Sequence, residues 1–283
     1  MSGNIGSSSP MQPLSVGNVV SAGMRLYRSH LKEYFLLALK AYVWILVPIY
    51  GWAKFSALSA LISRLAFGDL VEQPESIAAG EGFVNSRLWQ FLLTTVLMLI
   101  ASMGIIFGVG FVFVLLGVLA AALVGGIGQA SAAASILVFL VAFVVGVAAL
   151  VAICWLLTRF YLVDVPLAIE DNVDGTSTIS RSWELTQGYV WRILLIGFVA
   201  FLITIPVQIG LQIITTIIQL IFAPLTQQGN GVFSLLAFVL ILAVSFASGA
   251  VVLPFWQTVK AVIYYDLRSR REGLGLKLRD RDI

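Results

Sequence analysis

After Arg192 no charged side chain appears until Lys260, and the stretch from Leu88 to Thr158 is likewise free of Asp, Glu, Lys and Arg. A bilayer crossing takes about 20 consecutive apolar residues, so each block has room for two crossings. No water-soluble fold hides two such blocks. Composition agrees: 60% of the 283 residues are hydrophobic and 11% are charged, whereas roughly a quarter are charged in ordinary soluble domains. The chain reads as an all-α, polytopic membrane helix bundle.

The net charge of +3 is small, and the basic residues gather near the ends of apolar runs. That pattern points to orientation and anionic lipid headgroups, and away from nucleic acid. The one cysteine, Cys154, lies in an apolar run and reads as a small core hydrophobe, so no intrachain disulfide forms. Residues 1–14, MSGNIGSSSPMQPL, are rich in Gly, Ser and Pro and lack an adjoining apolar region, which reads as a disordered tail and not a signal peptide. Residues 274–283 read as a basic tail, leaving 15–273 as the membrane domain.

Ser15 is placed to cap a helix whose apolar side is Val16, Val20, Met24, Tyr27 and Leu31 and whose basic side is Arg25, Arg28 and Lys32. Such a helix is expected to lie on a membrane surface. The segment from Thr176 repeats the plan. Ile179, Trp183, Thr186 and Val190 take one side, Arg181, Glu184 and Gln187 the other, and Thr176 or Ser177 is the expected cap. Placing Val20 to Pro48 over Ile179 to Pro206 pairs Leu26 with Leu185 and brings the two prolines within one residue of each other. A weaker copy starts near Ser76 and carries Arg87-Leu88-Trp89, the counterpart of Trp191-Arg192. These positions predict a threefold parallel repeat over about 15–67, 75–165 and 176–266, against the alternative that any short polar loop before a span looks similar.

If each repeat is a surface helix plus a two-span hairpin, the chain has about six spans and every copy returns to the same side. The turns near Gly125 and Gln227 carry no Lys or Arg, so the positive-inside rule makes the common side cytoplasmic, with both termini. A competing topology takes Tyr34 to Phe67 as one kinked span, breaks Leu88 to Leu123 near Gly108-Val109-Gly110, and exports Asp69 to Ser86.

The segments Arg181-Ser182-Trp183-Glu184-Leu185-Thr186-Gln187-Gly188 and Tyr264-Tyr265-Asp266-Leu267-Arg268, followed by Arg271-Glu272-Gly273, resemble the glycerophosphoryl diester phosphodiesterase membrane-domain family. The YciC-like proteins are its distant relatives. The resemblance spans most of 15–273 and implies a bacterial six-span protein of the inner membrane with cytoplasmic termini. The phosphodiesterase name comes from a catalytic domain fused to some members, and nothing in this sequence looks like that domain.

His30 is the only histidine, and a lone histidine makes a poor metal site. No Walker loop, zinc spacing, nucleophile elbow or dinucleotide fingerprint is present. We therefore expect no enzyme activity, no metal and no cofactor. Charges near apolar runs are the better candidates, since a charge in the bilayer core costs at least about 2.5 kcal/mol and is usually paired or functional. Lys40, Lys54, Lys260 and Asp266 qualify. Lys40 and Lys260 are close enough to the predicted surfaces to snorkel. Asp266 is expected to be neutralised by Arg159, Arg181 or Arg268, with Arg181 the first choice. Arg25, Arg28, Lys32, Trp89 and Trp191 are the candidate headgroup contacts. The resulting expectation is a non-enzymatic membrane protein that organises lipid or recruits a membrane partner. The alternative is a transporter or channel for a small or apolar substrate, in which polar residues such as Thr94, Thr95, Thr204, Gln208 and Gln212 would face one another.

Overall fold

The computed structural model of the protein describes residues 14–125, 132–226 and 231–273. The N-terminal tail up to 13, the C-terminal tail from 274 and the turns at 126–131 and 227–230 lie outside the described residues. Ten helices follow one another: α1 (Val16–Ser29), α2 (Leu31–Trp44), α3 (Tyr50–Leu70), α4 (Ile77–Ser86), α5 (Leu88–Gly125), α6 (Ala132–Arg159), α7 (Asp164–Ile169), α8 (Ser177–Thr186), α9 (Val190–Thr226) and α10 (Gly231–Glu272). Four of them, α5, α6, α9 and α10, are long and apolar enough to cross a membrane by length and composition. α2 has 14 residues and at 1.5 Å per residue rises only about 21 Å, short of the roughly 30 Å hydrocarbon core. α3 has 21 residues but carries Lys54, Arg64 and Asp69.

The chain breaks where the sequence is punctuated. α2 ends before Pro48, and Gly51 in the first turn of α3 lies so close to the end of α2 that a Cβ there would stand 1.8 Å from the Trp44 carbonyl oxygen. α5, by contrast, runs unbroken through Gly108 and Gly110, and Pro206 and Pro254 sit inside continuous helices. Ser15 caps α1, its hydroxyl accepting from the Asn18 amide at 3.2 Å. Ser76 caps α4 in the same way through the Ala79 amide.

α3 is the centre of the bundle. Its small residues, Ala53, Ala57, Ala60 and Ala66, are buried and let α2, α4, α5, α7 and α10 come close around it. Leu58, Leu61 and Ile62 of α3 join Ala261, Val262, Ile263 and Leu267 of α10 in the same core. This core lies at the end of the bundle where α1, α4, α7 and α8 gather. The far lengths of the long helices present Ile106, Phe107, Phe139, Phe143, Leu220 and Phe238 outward, each at least half exposed. Apolar surface of that extent is what a membrane-crossing helix turns to lipid.

Two expectations for the amphipathic helices are corrected. α1 does not turn its apolar side to a bilayer: Val19, Val20, Ala22, Gly23 and Tyr27 are buried against α10 and α9, and a Cβ on Gly23 would meet Val259 at 2.8 Å. α8 buries a hydroxyl face, Thr178, Ser182 and Thr186 with Leu185, in place of Ile179 and Trp183. The Thr178 hydroxyl donates to the Val163 carbonyl and the Ser182 hydroxyl to the Arg159 carbonyl at 2.8 Å, so α8 satisfies free carbonyls after α6. Its start is organised by Asp174 and not by a Thr176 cap. Oδ1 of Asp174 accepts from the Ser177 amide at 2.7 Å and from the Thr176 amide and hydroxyl at 2.9 and 2.8 Å. These donors, the Ser177 amide foremost, hold the Asp174 carboxyl well below the usual carboxylate range.

The loop before α8 docks on α5, where the Thr94 hydroxyl donates to the Gly175 carbonyl at 2.9 Å. A Cβ on Gly175 would stand 2.8 Å from the Gln90 carbonyl oxygen and 3.2 Å from the Thr94 hydroxyl. We predict that Gly175→Ala costs about 1–3 kcal/mol, the range for overpacking against unyielding neighbours. Thermal unfolding in detergent checks it, and an unchanged midpoint would mean that the loop can step away from α5.

Candidate functional site

The charged residues are sorted by the helix ends that carry them. At the junction of α7, α8 and α10, Arg181 Nε donates to both oxygens of Glu170 at 3.0 and 3.2 Å, and its guanidinium also reaches Glu272. Glu170 accepts the Tyr264 hydroxyl, and Arg268 Nε closes the ring on Glu272 at 2.8 Å. The Arg181, Glu170 and Glu272 side chains are each about a fifth to a quarter exposed, so water screens this network only partly.

Asp266 belongs to a different cluster, which corrects the expected pairing with Arg181. Its side chain is 7% exposed and contacts Arg192 at 3.1 Å and Arg270 at 3.0 Å, while its other oxygen accepts the Leu14 amide. Arg192 also binds the Leu14 carbonyl, so the start of the described chain is tied to α9 and α10. Neither Arg159 nor Arg268 reaches Asp266. Arg159 donates to the Trp183 carbonyl at 2.9 Å and lies against the rings of both Trp155 and Trp183, 4.8 and 4.6 Å from their centroids.

Neither Lys40 nor Lys260 is a free snorkelling cation. Lys40 of α2 contacts Glu81 of α4 at 2.6 Å, and this hydrogen bond holds the Glu81 carboxyl below its ordinary value. Lys54, 9% exposed, donates to the Asn85 side-chain oxygen at 2.7 Å. Lys260 meets both oxygens of Asp164 at 2.9 and 2.8 Å. Gln257, one turn earlier on α10, donates to the same carboxylate at 3.1 Å and accepts the Ser63 hydroxyl of α3 at 2.6 Å.

Two arginines that sequence reasoning passed over hold the C-terminal end of α7. Arg87 donates to the carbonyls of Leu167, Glu170, Val173 and Asp171, and Arg64 donates to Ala168 at 2.8 Å while paired with Glu75 at 2.6 Å. Both guanidinium groups lie over the Phe83 ring. Their signal was present in part, since Arg87 sits in the headgroup-like Arg-Leu-Trp motif. A carbonyl cluster after a short buried helix leaves no mark in sequence.

The remaining cations stand apart. Of the seventeen Lys and Arg in the chain, Lys277, Arg279 and Arg281 lie outside the described residues. Among the described residues, only Arg25, Arg28 and Lys32 have neither a carboxylate, a carbonyl nor an aromatic partner, and all three are exposed. Glu33 is exposed beside them, and His30 faces Asp69 at 3.4 Å. Trp89 and Trp191 are exposed at 65% and 62%, each within the first turn of a long apolar helix. Cys154 is half-buried on α6 and not in the core.

A cavity of about 340 Å³ lies beside the Lys260–Asp164 pair. α3 supplies Phe55, Ser56 and Ser59, α5 supplies the side from Phe91 to Ser102, the turn after α6 supplies Phe160 and Tyr161, and α10 supplies Leu253, Gln257 and Lys260. Of the polar residues expected to face one another, Thr94 and Thr95 line it, whereas Thr204 is buried elsewhere and Gln208 and Gln212 are exposed. Among the described residues no group of three or more His, Cys, Asp or Glu is arranged to hold a metal ion. In comparison with known proteins, no family model, no curated protein and no solved structure matches this chain.

Proposed function

We propose that this is a non-enzymatic integral membrane protein that gathers anionic lipid at one bilayer surface. The observation that carries the reading is the isolation of Arg25, Arg28 and Lys32: every other described Lys or Arg has a partner within the chain, and these three are exposed together around the α1–α2 junction. Cations left without internal partners at a bilayer surface are free to take phosphate headgroups. Because the apolar side of α1 is held by α10, the basic side is presented by the folded bundle and needs no insertion of α1 into lipid.

In this reading the chain forms three units of a surface helix and a hairpin, about six membrane segments, of which the α2–α3 hairpin enters the bilayer without α2 reaching across it and α5, α6, α9 and α10 cross fully. The turn between α2 and α3 supports it, with Leu46, Val47 and Ile49 exposed and no charge from Trp44 to Ala53. The basic patch, both termini and α4 then share the cytoplasmic face of a bacterial inner membrane by the positive-inside rule. A transporter or channel is the second reading, favoured by the cavity beside Lys260 and Asp164, with Thr94 and Thr95 in its wall.

The test is lipid retention. Full-length protein is placed in nanodiscs of mixed phosphatidylglycerol and phosphatidylcholine, extracted with mild detergent, and its bound lipid measured. Each cation near an anionic surface is worth up to about 1 kcal/mol, so the Arg25→Gln/Arg28→Gln/Lys32→Gln variant is expected to lose most of the phosphatidylglycerol preference of the parent. Salt should weaken the parent's preference and leave the variant's unchanged. Equal preference in both proteins would sink the reading.

A further inference from the structure

We propose that the cleft between α5 and α10 binds the headgroup of a zwitterionic glycerophospholipid, with Asp164 taking its ammonium and Lys260 its phosphate. α5 and α10 each pack on α3 but scarcely on each other, so the cavity between them opens sideways. In a bilayer-embedded protein, the reading on which this inference rests, that side is lipid. The volume of about 340 Å³ is at the small end for ligand sites, and suits a headgroup with the start of one chain.

The cleft is charged at one end only. α5 runs inward from Leu88 and α10 runs outward to Glu272, which places Lys260 and Asp164 toward the charged end of the bundle and Leu99 and Leu253 deeper. The deep hydroxyls are already engaged: Thr95 donates to the Phe91 carbonyl and Ser102 to the Met98 carbonyl. An acyl chain would therefore meet a wall with no unsatisfied donors.

Charge selects the headgroup. Lys260 and Asp164 are the only ionised side chains lining the cleft, and together they carry no net charge. A purely anionic headgroup would gain Lys260 and be repelled by Asp164. A headgroup bearing both signs, with an N–H donor on its cation, can satisfy both partners at once. The Gln257 amide and the Ser63 hydroxyl behind it hold Asp164 in place. The Tyr161 hydroxyl is buried without a partner among the described residues, and its ring lies 5.3 Å from the Lys260 ammonium.

The test uses full-length protein in nanodiscs holding equal phosphatidylethanolamine, phosphatidylcholine and phosphatidylglycerol, with retained lipid read by native mass spectrometry after mild extraction. Phosphatidylethanolamine is expected to be retained about tenfold over either competitor, as about 1.4 kcal/mol of selectivity gives. Ser102→Phe fills the deep end without touching the pair, and is expected to abolish that retention while leaving thermal stability unchanged. Leu99→Trp is the second filling variant if Ser102→Phe fails to fold. The Arg25→Gln/Arg28→Gln/Lys32→Gln protein should keep its phosphatidylethanolamine, so failure here and failure of the basic-patch reading are seen separately. Equal retention of the three lipids, or retention unaffected by both filling variants, overturns the proposal.

Discussion

Arg87→Met is expected to lower stability by about 3–5 kcal/mol, because a carbonyl shielded from water and left unpaired costs about 1–3 kcal/mol and the part-buried carbonyls of Leu167, Glu170 and Val173 lose their donor together. In the native protein one guanidinium serves the carbonyls of Leu167, Glu170, Val173 and Asp171 and lies 4.5 Å from the Phe83 ring centroid. These carbonyls belong to the end of α7 and the segment after it, and α7 has only 6 residues, too short to stand without its neighbours. The consequence should extend to Glu170, whose carbonyl Arg87 holds and whose carboxylate anchors Arg181. Arg87→Lys is expected to recover less than half of the loss, since a single ammonium cannot present a planar fork to carbonyls on different sides. Thermal unfolding of the purified protein in detergent measures both. Full stability of Arg87→Lys would show that the charge alone, and not the fork, is what the site requires.

The second large effect concerns the two clusters at the end of α10. Arg181→Gln leaves Glu170 and Glu272 without their shared cation, and is expected to cost about 2–3 kcal/mol, below the roughly 3–5 kcal/mol of a fully buried pair because the three side chains are a fifth to a quarter exposed. Asp266→Asn should cost a comparable amount by releasing Arg192 and Arg270. Arg181 and Asp266 share no partner, so the two losses should add in the double variant. Asp266→Asn combined with Arg192→Gln should instead fall well short of additivity, because both changes remove one contact. A strong coupling between Arg181 and Asp266 would contradict the arrangement seen here and restore the pairing that the sequence suggested. The comparison is informative because all three residues sit beside helix ends, where the sequence offers many opposite charges and no ranking among them.

Much of the fold is legible in the sequence. A helix period or a charge-free run is a property of neighbouring residues, so the two long blocks announced α5, α6, α9 and α10. Ser15 announced the start of α1, because a capping hydroxyl acts three residues away. Pro48 marked the break between α2 and α3 for the same local reason. The apolar side of α1 was also legible in outline, but not what would cover it: an apolar stripe gains equally from lipid and from protein, and only the position of α10 decided for protein. α8 misled for a related reason. Its hydroxyls look like a solvent face in sequence, yet the carbonyls left free after α6 give Thr178 and Ser182 a reason to turn inward.

The sequence by itself determined that the chain is a bundle of helices with lipid-facing length, where several helices begin, and which charges stand near apolar runs. Tertiary structure alone decided how those charges are spent. Asp164 and Lys260, Arg87 and the carbonyls after α7, and Asp266 and Arg192 lie far apart along the chain, and ionic attraction has no periodicity by which a sequence could register it. Their pairing is set by which helices α3 draws around itself through its small residues, and the cleft between α5 and α10 exists because both fit against α3 while neither closes on the other.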